Sequence, residues 1–96
     1  MFVSLLSVKG NDRITGGSGA DKIYGGPGAD KLHGNGGDDL IYGGTGDDEL
    51  YGDDGYDELH GGADDDLLTS WGDICIGDSG FDECNCMNPE PTCELN

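Results

Sequence analysis

A nine-residue period constrains this chain more than any other feature. Written in nines it reads SVKGNDRIT, GGSGADKIY, GGPGADKLH, GNGGDDLIY, GGTGDDELY, GDDGYDELH and GGADDDLLT, from Ser7 to Thr69 without an insertion. The segment SWGDICI follows, two residues short, and GDSGFDECN then returns to the same phase. The sixth position is aspartate in every full repeat: Asp12, Asp21, Asp30, Asp39, Asp48, Asp57, Asp66 and Asp82. The eighth is Ile14, Ile23, Leu32, Ile41, Leu50, Leu59 and Leu68, then Cys84, and the fourth is glycine except at Asp64. Such a period marks a fold in which each repeat is one supersecondary unit and the core is made by stacking neighbours.

Composition alone argues the opposite. Twenty glycines, 33% hydrophobic residues and a net charge of −17 match the profile of a disordered chain. There is too little apolar material for a conventional core, and glycine raises the entropic cost of ordering. An unstructured acidic tail would hold no phase, however, so the ordered state must be stabilised by more than apolar burial. The acid excess excludes nucleic acid as a partner, because a phosphate backbone needs a basic footprint. It also disfavours anionic membrane surfaces and leaves cations as the natural partners. Charge is uneven along the chain. Lys9, Arg13, Lys22 and Lys31 against Asp12, Asp21 and Asp30 leave +1 over residues 1–33, while residues 34–96 carry −18.

The pattern G-G-x-G-x-D-x-U-x resembles the calcium-binding nonapeptide of the repeats-in-toxin family, over about four fifths of the chain. That resemblance implies an all-β fold, a right-handed parallel β-roll (β-solenoid) of about four 18-residue coils. The first six residues of each repeat would form a turn and the last three a short strand, with two repeats per coil. The expected organisation is a cap strand over residues 1–6, the roll over 7–85 and an irregular Cys-rich tail over 86–96. Calcium would lie between stacked turns, held by the aspartates and by turn carbonyls.

A nine-residue half-coil places each turn beside the next but one, so residues 18 apart become neighbours. Ca²⁺ takes six to eight oxygens and accepts carboxylates and backbone carbonyls alike. Glycines at positions 1, 2 and 4 let the backbone pass through positive φ and turn its carbonyls inward. On the resemblance, the carbonyls of Gly17, Gly19, Gly26, Gly28, Gly37, Gly44, Gly46 and Gly55 are expected to join the aspartates as ligands. One edge would carry Asp12, Asp30, Asp48, Asp66 and Asp82, and the other Asp21, Asp39, Asp57 and Asp73. These offer up to about seven inter-turn sites, of which about four to six are expected to hold Ca²⁺. Six ions would bring the net charge to about −5.

Within each strand triplet the order is out, in, out, so position 8 supplies a thin aliphatic spine. Position 9 then places Tyr24, Tyr42 and His60 on one outer face, and Thr15, His33, Tyr51 and Thr69 on the other. Cross-strand pairing explains these columns, with a carbohydrate-binding ladder as the rival. His33 and His60 are ladder residues on this reading and not metal ligands. Asp38, Asp47, Asp53, Asp54, Asp65 and Asp78 are expected as solvated turn residues, some of them available to complete a calcium shell.

The ends depart from the pattern. MFVSLLSV is too short to span a bilayer and lacks the basic start of a signal peptide, so it is read as a strand or end cap. SWGDICI is read as an irregular turn, with Trp71 plugging the roll. Cys75, Cys84, Cys86 and Cys93 form an even set, which in an exported chain favours two disulfides with three possible connectivities. Cys75 and Cys84 would bridge the core if both point inward, leaving Cys86 and Cys93 to close CMNPEPTC. A four-cysteine zinc site and free thiols stay open, although the spacing fits no common zinc module. No nucleophile, base or paired catalytic acid stands apart from the periodic residues, so an enzyme is not expected. The resemblance points to a secreted, extracellular calcium-binding module, alone or within a larger secreted protein. The alternative is a subunit of a filament assembled head to tail.

Overall fold

A computed structural model of the chain describes residues 3–6, 10–71, 74–78, 80, 83–87 and 94–95. Eleven strands lie among them, and no helix: β1 Val3–Leu6, β2 Arg13–Thr15, β3 Asp21–Tyr24, β4 Lys31–His33, β5 Leu40–Gly44, β6 Glu49–Tyr51, β7 Glu58–Gly62, β8 Leu67–Trp71, β9 Ile74–Asp78, β10 Glu83–Met87 and β11 Glu94–Leu95. Successive strands alternate between two sheets. The odd-numbered strands form one six-stranded sheet and the even-numbered strands a five-stranded one, each in chain order. All pairings are parallel, and Ile23 lies beside Ile41 just as Leu32 lies beside Leu50, both at a separation of 18 residues. The molecule is therefore a parallel β-solenoid whose coil is two nonapeptides.

The period of two within each strand decides what is inside. Ile23, Leu32, Ile41, Leu50, Leu59 and Leu68 are completely buried, and Ile14 packs against them at one end. Each such residue contributes about 1.5–3 kcal/mol by leaving water. Inward alternation continues on both sides of the spine. In β3 and the residue after it, Asp21, Ile23 and Gly25 are buried while Lys22 and Tyr24 are exposed. From Asp21 to Gly61 each half-coil thus sends an aspartate, an aliphatic residue and a glycine inward.

The outer columns form the two expected ladders. Tyr24 stacks on Tyr42 with ring centroids 5.1 Å apart, and Tyr42 stacks on His60 at 4.7 Å. On the other sheet His33 stacks on Tyr51 at 4.5 Å, while Thr15 and Thr69 hold the neighbouring register positions. Tyr42, with a ring on either side of it, has both faces covered, which removes the flat apolar surface on which a sugar would stack. His33 also meets Asp53, and His60 meets Glu58.

Two expectations about the last third need correction. SWGDICI is not an irregular turn throughout, because β8 runs on to Trp71 and β9 starts at Ile74. The missing pair of residues is absorbed as a register of 16, with Leu59 beside Cys75 and Leu68 beside Cys84. Strand pairing survives because only the connecting turn is shortened. The tail is not wholly irregular either: Glu94 pairs with Ile76, 18 residues back, and adds β11 to the six-stranded sheet. Cys75 is buried, Cys84 packs against the same core from the facing sheet, and no free cysteine is found among the described residues. The expectations for Asp73, Asp82 and Cys93, and for the side chains of Trp71 and Cys86, fall outside the described residues.

Candidate metal centre

The inward aspartates of position 6 form two files, one along each edge of the solenoid. Asp21, Asp30, Asp39, Asp48, Asp57 and Asp66 are each no more than 3% exposed, whereas Asp12, at the first turn, is half-buried. Each carboxylate hangs on the turn before it. The Asp12 amide donates to Asp30 Oδ1, that of Asp30 to Asp48 Oδ1, and that of Asp48 to Asp66 Oδ1, all at 2.8 Å. On the other edge the Asp21 amide donates to Asp39 Oδ1 and the Asp39 amide to Asp57 Oδ1. Asp21, whose file starts one turn later, instead accepts at Oδ2 from the amide of Gly17.

This arrangement leaves oxygen atoms over. Asp21 Oδ1 and the Oδ2 atoms of Asp30, Asp39 and Asp48 are buried without a hydrogen-bond partner. Their surroundings are oxygen-rich. A Cβ built on Gly25 would lie 2.8 Å from Asp30 Oδ2 and 2.6 Å from the Gly43 carbonyl. At Gly43 the same slot meets Asp48 Oδ2 at 2.7 Å and the Gly61 carbonyl at 2.6 Å, and at Gly34 it meets Asp39 Oδ2 and the Gly52 carbonyl. Position 1 is therefore glycine because a side chain there would displace the oxygens. Its φ is not positive at any of these residues, unlike Gly26 and Gly44 at position 2 or Gly28, Gly37, Gly46 and Gly55 at position 4.

Seven of the eight glycines expected as carbonyl ligands sort into two groups, Gly55 being in neither. The carbonyls of Gly19, Gly26, Gly28, Gly37 and Gly44 each point at the glycine 18 residues on, and the Gly44 carbonyl accepts the Ala63 amide at 3.1 Å. Gly17 donates its amide to Asp21 Oδ2, and Gly46 donates its amide to Asp64 Oδ2. The carbonyls beside the aspartate oxygens are those of Gly34, Gly43, Gly52 and Gly61, which sequence reasoning did not single out. The regular glycine at position 1 was the available signal.

The extra acids bridge the turns as well. Asp38 and Asp47 accept the amides of Tyr56 and Asp65 at 2.9 Å, as Asn11 does for Ala29. Asp53 accepts more weakly from Asn35 at 3.3 Å. They remain at or near the surface, so the expectation of solvated residues holds while their inter-turn role was missed. Among the described residues no three acidic, histidine or cysteine side chains converge on one point. A cation here must complete its shell with backbone oxygens, the mixture that Ca²⁺ accepts.

Comparison with known families agrees with this geometry. The family model described as RTX calcium-binding nonapeptide repeat matches residues 8–41 and 42–74, in four copies. The chain belongs to the RTX calcium-binding repeat family. Searches of curated proteins and of solved structures return no match. RTX repeats bind calcium and form a structural module, and the buried, incompletely bonded carboxylates of this chain suit that ion. When bound, calcium supplies positive charge and coordination to oxygens that the protein leaves without donors.

Burial pushes the Asp48 carboxyl up to about 7 and that of Asp39 to about 6, from an ordinary value of 3.8. The amide bond each accepts works against this, and repulsion from Asp30 and Asp21 respectively works with it. Asp30 is raised for the same reasons. A raised carboxyl holds its proton more tightly in the folded chain than in the unfolded one. Acid thus favours the metal-free fold, and this contribution fades as pH rises through about 6 to 7. Calcium must displace those protons, so isothermal titration should give weaker binding at about pH 5.5 than at about pH 8. Equal affinity at both would remove Asp39 and Asp48 from the site. A second expectation concerns the slots. Gly43→Ala should cost about 1–3 kcal/mol in urea denaturation with calcium present. Gly17→Ala, where an added Cβ meets nothing within 4 Å, should change stability by less than about 0.5 kcal/mol.

Proposed function

We propose that this chain is an extracellular structural module that is unfolded at low calcium and folds on binding about four to six Ca²⁺ ions. The unpartnered carboxylate oxygens of Asp21, Asp30, Asp39 and Asp48, buried between stacked turns, carry this reading. A buried ionised group without a partner is costly, and a divalent cation offsets that cost more fully than any side chain present. The ligands are the aspartates of the two files, Asp12, Asp30, Asp48 and Asp66 on one edge and Asp21, Asp39 and Asp57 on the other, with turn carbonyls. Asp73 and Asp82 extend the files on the sequence pattern. Extracellular calcium modules bind with Kd of about 10⁻⁴ to 10⁻³ M, so secretion from a low-calcium cytoplasm would switch the fold on by mass action.

Far-UV circular dichroism in a calcium titration tests this. A random-coil signal should convert to a β signal between about 0.1 and 10 mM calcium and revert with chelator. A chain that stays random coil at the upper limit, or is β without calcium, would sink the reading.

Head-to-tail assembly is the second reading, favoured by one feature. The outward residues of position 7 on the five-stranded sheet run Arg13, Lys31, Glu49, Leu67, Glu83 from one end to the other. Unlike ends of open sheets make heterologous contacts, which propagate. Light scattering of the calcium-loaded chain should then grow with concentration, and a constant monomer mass would discard it. We also read Cys75 and Cys84 as members of disulfides, on the strength of their shared core. Thiol titration of native protein should find none free, whereas four free thiols would rule the bridges out.

A further inference from the structure

Ser70 breaks the column of position-1 glycines at the start of the shortened turn. It follows Gly16, Gly34 and Gly52 on the same edge and lies in β8, 2% exposed, and its Oγ has no hydrogen-bond partner. In the earlier turns each glycine slot is bracketed by one carboxylate oxygen and one backbone carbonyl. Asp21 and the Gly34 carbonyl face the slot of Gly16, and Asp39 and the Gly52 carbonyl that of Gly34. At Gly52 the carboxylate is present as Asp57 Oδ2, 2.6 Å from the slot, but the second oxygen is Ser70 Oγ. A side-chain hydroxyl stands where the slots of Gly16, Gly25, Gly34 and Gly43 present a carbonyl.

We propose that Ser70 Oγ is a ligand for a divalent cation held between Ser70 and the Asp57 carboxylate. The proposal rests on the calcium reading of the aspartate files and assigns one further protein ligand to them. A hydroxyl is a neutral oxygen donor of the kind Ca²⁺ accepts beside a carboxylate. Ser70 Oγ makes no hydrogen bond to Asp57 across the slot they share, so the serine is not there to satisfy the acid as a donor. A buried hydroxyl without a partner is unfavourable in a metal-free site and is satisfied once an ion enters.

The test compares the wild-type chain with Ser70→Ala by equilibrium dialysis against calcium, with circular dichroism confirming that both fold. The variant should bind one ion fewer, or bind its weakest ion at least about tenfold less tightly, a loss of about 1.4 kcal/mol. Equal stoichiometry and affinity would overturn the proposal while leaving calcium-dependent folding intact. A wild-type chain that binds no calcium would instead overturn the reading beneath it. Should Ser70→Ala fail to fold, a crystal structure of the calcium-loaded wild type decides. An ion within about 2.3–2.6 Å of Ser70 Oγ supports the assignment. A hydroxyl bonded only to protein or water overturns it.

Discussion

Everything in this molecule is arranged around negative charge placed where water does not reach. A solenoid only 15 Å across in its thinnest direction has room for three inward columns on each sheet, and one of the three is aspartate. Parallel strands repeat every 4.7–4.9 Å or so, which fixes the spacing of each file and prevents the carboxylates from relaxing apart. Backbone amides satisfy one oxygen of most of these carboxylates, and the neighbouring carbonyls present dipoles of the wrong sign to the others. The aliphatic spine, one residue wide, lacks the area to balance this alone. A cation between the turns would offset this buried charge.

Glycine serves two separate physical ends in these turns. At position 1 the backbone is ordinary and the interior is full, as at Gly43, where any Cβ would collide with oxygens. From Gly26 onward the backbone at positions 2 and 4 is itself left-handed, whereas at Gly17 and Gly19 it is not. Substitution follows the difference. Asn35, Asp53 and Asp78 replace glycine at position 2, and Asp64 at position 4, all with φ between 65° and 74°. Asparagine and aspartate are the residues that tolerate this region best. From Gly16 to Gly61 position 1 admits no substitute at all.

Much of this was legible beforehand because the repeat converts sequence separation directly into spatial neighbourhood. The eighth-position spine, both outer ladders and the two aspartate edges follow from the numbers 9, 18 and 2. What escaped was the detail that phase does not encode. The carbonyls beside the carboxylates belong to position 1, because the strand continues its alternation past the triplet and buries the next glycine. The acids of position 5 look solvated in a string of letters, yet Asp38 and Asp47 reach across to amides 18 residues away. In the last third the composition of SWGDICI suggested a loop. The loss of two residues from a turn leaves strand pairing possible at a register of 16, and Cys75 takes the seat of an aliphatic residue.

The inter-turn hydrogen bonds run in both directions. At position 6 the later turn accepts from the earlier one, as Asp48 does from Asp30, while at position 5 the earlier turn accepts from the later one, as Asp47 does from Asp65. Neither turn can order its own polar groups without the other, so structure has to spread outward from a nucleus of two adjacent coils. Such a system behaves as a one-dimensional lattice with strong nearest-neighbour coupling. Its terminal coils, each with a neighbour on one side only, are the least cooperative part. Adding or removing whole coils would alter the sharpness of the transition more than its nature.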